Sequence, residues 1–125
     1  MQTDIEIYTL SCPKEKIISW LESVFTLKNK STLSKLATKV TGDLNGHEIE
    51  VTILEKAAGK AFTSIWFDSD KTPWENDADC AKQAFSFLEC EIRCNFEGWE
   101  EEKTDQDLDQ WWRINEQGEG PFIWK

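Results

Sequence analysis

The sequence predicts an α+β domain, a two-layer sandwich in which a mainly antiparallel sheet carries two helices on one face. Three observations predict it. Short segments alternate apolar and polar residues, two stretches carry apolar residues at helical spacing, and turn signals join most of the alternating segments directly. The 125 residues suit one core, so residues 1–125 are read as a single domain, and seven Trp and seven Phe add bulk to an apolar fraction of 39%.

Residues 4–10 place Ile5 and Ile7 on one face and Glu6 on the other, the pattern of a half-buried strand. Pro13 suits a first helical position, and Ile17, Trp20, Leu21, Val24 and Phe25 then recur on one helical face, predicting a helix over 13–26. Residues 34–41 and 47–54 alternate on either side of Asn45-Gly46, a pair that tolerates positive φ and so predicts a hairpin. Residues 61–67 are apolar on both faces, as expected of the strand at the sheet centre.

Thr72-Pro73-Trp74-Glu75 has the form of a capping box and predicts a helix from there to Leu88, with Ala81, Ala84, Phe85 and Leu88 as its buried stripe. Residues 89–96 read as a strand with Cys90, Ile92, Cys94 and Phe96 on one face. An acidic loop at 97–109 follows. The C-terminal extension 110–125 holds two short runs, 111–115 and 122–124, around Gln-Gly-Glu-Gly-Pro, predicting a terminal strand pair. The order β-α-β-β-β-α-β plus that pair is similar to the ferredoxin-like arrangement over residues 4–96, a likeness of architecture that implies no activity.

The charge is concentrated. The chain carries a formal −10, yet residues 1–67 hold eight acidic and eight basic side chains and 110–125 hold two of each, so the whole excess lies in 68–109. Such a field repels phosphate backbones, which disfavours direct nucleic-acid binding, so none is expected, and favours a basic protein partner through steered association. The opening Met-Gln-Thr-Asp-Ile-Glu lacks the basic and apolar runs of a secretory signal, and no apolar stretch approaches the roughly 20 residues of a membrane span. A cytoplasmic protein off the membrane is expected, with Cys12, Cys80, Cys90 and Cys94 as free thiols.

No glycine-rich phosphate loop, nucleophile motif or closed zinc spacing occurs, and no cofactor is expected. Cys90 and Cys94, four strand residues apart, would stand about 13 Å from each other, too far for one metal ion or one disulfide. His47, the lone histidine, follows a turn and has no nucleophile assigned to it. Two constellations remain. Asp68, Asp70, Asp77 and Asp79 flank a strand end and a helix start, where convergent carboxylates would hold Mg²⁺ or Ca²⁺ for a small-molecule binder or hydrolase. Trp99, Trp111 and Trp112 bracket Glu100, Glu101, Glu102, Asp105, Asp107 and Asp109, and acids rimming aromatic anchors suit protein recognition. Trp111 and Trp112 are adjacent, so on a strand they face opposite ways, one toward the core and one away from it. The favoured reading is a non-enzymatic interaction domain, an inhibitor or sequestering partner of a basic protein; cation-dependent chemistry is the alternative.

Overall fold

The computed structural model of the chain describes residues 3–95 and 110–124. Its elements run β1 (Ile5–Leu10), α1 (Lys14–Val24), β2 (Thr26–Thr32), β3 (Ala37–Leu44), β4 (His47–Leu54), β5 (Phe62–Asp68), α2 (Asp77–Leu88), β6 (Ile92–Asn95), β7 (Gln110–Asn115) and β8 (Gly118–Ile123). The strands form one eight-stranded sheet in the order β2-β3-β4-β5-β1-β6-β7-β8. Each neighbouring pair is antiparallel.

Strand alternation builds the core. Ile5 and Ile7 of β1, Ile65 and Phe67 of β5, Ile49, Val51 and Ile53 of β4, Val40 of β3 and Ile92 and Cys94 of β6 are all buried. The helices add Ile17, Trp20 and Leu21 from α1 and Ala78, Ala81, Ala84 and Leu88 from α2. Alanines at three of those α2 positions keep its axis close to the sheet. The expected hairpin also forms: Asn45 and Gly46 take φ of 53° and 84° between β3 and β4.

The structure differs from the sequence expectation at three places. First, β2 is an additional strand. Its sequence TLKNKST is polar and mostly exposed, so no periodicity marks it, and it exists because its backbone pairs with β3. The join is tight: a Cβ added at Gly42 of β3 would lie 2.8 Å from the Phe25 Cβ that ends α1. Only glycine lets the helix end and the strand approach this closely.

Second, α2 begins at Asp77 rather than after Thr72. Asn76 is the cap, its side chain accepting from the Asp79 amide at 2.9 Å. The Thr72 hydroxyl instead donates to the Trp74 carbonyl at 3.3 Å. Burial of Trp74 overrides the local capping signal, because its ring is 5% exposed and packs against Trp20, Phe25 and Phe67 with centroids 5.0–6.1 Å away. Third, β6 starts at Ile92, so Cys90 stands outside the strand, after Glu89, which ends α2 in the left-handed region.

Candidate functional site

The sheet face away from the helices carries a continuous aromatic cluster. Alternation puts Tyr8 of β1, Phe62 and Trp66 of β5, Arg93 of β6, Trp111 and Arg113 of β7 and Phe122 of β8 on this side. All are half-buried. Trp124, just past β8, lies 4.8 Å from Phe62, 5.5 Å from Tyr8, 5.0 Å from Trp111 and 6.3 Å from Phe122, ring centroid to centroid. In a flat sheet β5 and β8 would be about 19 Å apart, so the chain end folds back across the face to make these contacts.

Arg93 is the cluster's internal cation. Its guanidinium carbon sits 4.6 Å from the Phe62 centroid, 4.8 Å from Phe122 and 4.6 Å from Trp124, within the range of cation–π attraction. Glu91 Oε2 accepts from its Nε at 2.8 Å and pairs with its Nη2 at 2.8 Å, while Asn115 donates to Glu91 Oε1 at 3.1 Å. Burial pushes the Glu91 carboxyl up, but the hydrogen bonds from Asn115 and Arg93 and the charges of Arg93 and Arg113 outweigh it and hold it below its ordinary value.

A depressed carboxyl favours the folded state when ionised. This contribution is present above the ordinary value of 4.5 and is lost as pH falls through the lower folded value. Urea titrations should therefore find Glu91→Gln less stable than wild type by roughly 1 kcal/mol at neutral pH, with the gap closing in acid. A gap that stays constant down through acid pH would exclude this linkage.

A cavity of about 460 Å³ opens beside the cluster, lined by Tyr8, Trp111 and Trp124 with Ala58 and Gly59. The three ring planes are steeply inclined to one another: 80° between Tyr8 and Trp111, 89° between Tyr8 and Trp124, and 74° between Trp111 and Trp124. Aromatic walls in several orientations are suited to a cationic or amphipathic side chain. Negative charge is at hand in Glu6: burial first, then the Glu6 charge and hydrogen bonding toward it, raise the Tyr8 hydroxyl above its ordinary value. Glu6 also accepts from Ser64 Oγ at 2.7 Å, which fixes the carboxylate beside the rings. The neighbouring Trp66 donates its indole N–H to Asp4 at 2.8 Å.

Trp111 and Trp112 do point to opposite faces. Trp111 joins the open-face cluster, whereas Trp112 packs against the core and donates its indole N–H to Glu119 at 3.1 Å. Trp99, Glu100, Glu101, Glu102, Asp105, Asp107 and Asp109 lie outside the described residues. The chain leaves β6 at Asn95 and re-enters β7 at Gln110, and Asn95 pairs with Trp111.

The four aspartates of the cation reading sit in different settings. Buried Asp77 accepts from the Glu6 amide at 3.2 Å, Asp79 lies in the first turn of α2, Asp70 lies 4.0 Å from Lys71 Nζ, and Asp68 is exposed at the end of β5. Among the described residues no three His, Cys, Asp or Glu side chains come together to hold a metal ion, which argues against the cation-dependent alternative. His47 is exposed at the start of β4, paired in register with Leu44. No described helix is long and apolar enough to cross a membrane.

Sequence reasoning missed Tyr8, Phe62, Arg93, Phe122 and Trp124. One signal was present: Tyr8 alternates onto the same outward side of the first strand as Glu6, which reads as solvent-facing. A search of protein-family models, of curated proteins and of solved structures finds no match to the chain.

Proposed function

We propose that this chain is a non-enzymatic acidic interaction domain that binds a basic protein and blocks or sequesters it. The observation that carries the reading is the open aromatic face of Tyr8, Trp111 and Trp124 in a chain of net charge −10 whose acidic excess adjoins that face in sequence. In this reading a cationic side chain of the partner enters the cavity, Trp111 acts as an anchor, and Trp99 with Glu100, Glu101, Glu102, Asp105, Asp107 and Asp109 steers the approach. Trp112 supports β7 from the other side.

We also read the core as related to the ferredoxin-like arrangement. In support, β5 lies between β1 and β4 while β1 lies between β5 and β6, with α1 and α2 on the connections.

Affinity capture from native extract tests the function, comparing wild type with a variant in which Glu100, Glu101, Glu102, Asp105, Asp107 and Asp109 are neutralised. The expected result is a stoichiometric basic protein that the variant loses and whose association slows as salt is added. Equal capture by both proteins, or association indifferent to salt, would overturn the electrostatic mechanism.

A further inference from the structure

Two turns bring a pair of cysteines together beside the start of α1. The Leu10 amide donates to the Glu91 carbonyl at 3.0 Å, which sets Cys12, two residues on, next to Cys90, one residue back. The two thiols stand near enough for each to perturb the other's ionisation. Each cysteine follows a non-glycine residue in the left-handed region, Ser11 at φ 51° and Glu89 at φ 57°, so neither obeys the strand alternation of its neighbours.

The two sulfurs are not equivalent. Cys12 precedes the positive end of α1, and Lys16 lies one turn along the helix. The hydrogen bond from Cys90 lowers the Cys12 thiol most; burial opposes it, and the Lys16 charge adds to it, leaving Cys12 below its ordinary value. The same bond, burial and the Cys12 charge push Cys90 up, against the opposing Lys16 charge and a backbone hydrogen bond from Leu10. The positive end of α1 beside Cys12 favours it as the thiol that ionises first, with Cys90 keeping its proton.

Both residues line cavities, although Cys12 itself is only 8% exposed and Cys90 is half-buried. Cys12 lines a cavity of about 290 Å³ shared with Lys56, Lys60 and Glu55, and Lys16 is exposed nearby. That is a locally basic approach on an acidic protein. Cys90 lines a separate cavity of about 620 Å³ with Phe85, Ser86 and Glu89. Cys80 and Cys94 have no exposure, and burial, first among the causes, raises both thiols.

We propose that Cys12 and Cys90 form a dithiol modification site that reacts with small anionic disulfides of the glutathione class and closes into an intramolecular disulfide. The Cys12 thiolate attacks one sulfur of oxidised glutathione, forming a mixed disulfide and expelling one glutathione thiolate, which takes up the proton Cys12 released. Cys90 then gives its proton to water and attacks the Cys12 sulfur, expelling the second glutathione thiolate, which takes up that proton. Overall the protein loses two hydrogens and the small disulfide is reduced to two thiols.

The test incubates reduced full-length protein with oxidised glutathione at near-neutral pH, traps remaining thiols by alkylation and maps the peptides. Wild type is expected to lose two hydrogens with a Cys12–Cys90 link, Cys90→Ser to stop as a glutathione adduct on Cys12, and Cys12→Ser to leave Cys90 unmodified. An unreacted native wild type, a link through Cys80 or Cys94, or an adduct on Cys90 in Cys12→Ser would overturn the site. Native wild type also gives a measurement independent of how the variants fold: iodoacetamide should label Cys12 at least about tenfold faster than Cys80, and equal rates would overturn the assignment of Cys12 as nucleophile.

Discussion

Trp74→Ala is expected to lower the free energy of unfolding by roughly 3–5 kcal/mol, the range for deleting a buried aromatic side chain. The ring is 5% exposed and is surrounded by other rings: it stacks on Trp20 at 5.8 Å and meets Phe67 at 5.0 Å and Phe25 at 6.1 Å. Those partners come from α1, from the end of that helix and from β5, so no single element can collapse into the space left behind. Its indole N–H donates to Gln83 of α2, and truncation leaves that amide oxygen without this donor. Urea unfolding measures the cost: the midpoint should fall with little change in slope. A cost below about 1 kcal/mol would mean that the segment between β5 and α2 is held by its turns and not by the ring.

Trp111→Ala is expected to weaken binding of the captured basic partner by about thirtyfold, close to 2 kcal/mol, as for an anchor at the centre of an interface. Trp111 meets Tyr8 at 5.7 Å and Trp124 at 5.0 Å, so its removal opens the cavity on one side and leaves two rings without an edge contact. Phe87→Ala is the matched control, because Phe87 is 41% exposed but lies on α2, on the other side of the sheet. Titration calorimetry of both variants, with circular dichroism to verify folding, decides the matter. Equal losses from the two substitutions would place the interface elsewhere.

Much of the sheet was legible because its signals are local. Ile5 and Ile7 fixed the inward side of β1, Asn45-Gly46 fixed the β3–β4 turn, and the doubly apolar run of β5 placed it near the sheet centre. The opposed directions of Trp111 and Trp112 follow from strand geometry alone. What stayed hidden depends on distant parts of the chain. β2 has no apolar face and forms only because β3 offers it a backbone, and Trp74 abandons the helical path because Trp20 and Phe25, both far from it in sequence, join Phe67 in enclosing its ring. The aromatic site draws Tyr8 from β1, Trp111 from β7 and Trp124 from beyond β8, a meeting that no window of sequence contains. Cys12 and Cys90 were separable in advance from any strand-spacing argument only once β6 was known to begin at Ile92.

The two border strands bear on how the molecule behaves in a crowded solution. An open sheet invites copies of itself to continue the ladder into fibres. At one border β2 presents Lys28 and Lys30 on a strand whose single apolar residue is the half-buried Leu27, and a second copy arriving there would set like charges against each other. At the other, Pro121 of β8 lacks an amide hydrogen and interrupts the donors an incoming strand would need. Growth by strand addition is discouraged at both ends by different means, one electrostatic and one covalent, so the chain can keep a broad aromatic face uncovered by helices without its sheet becoming a template.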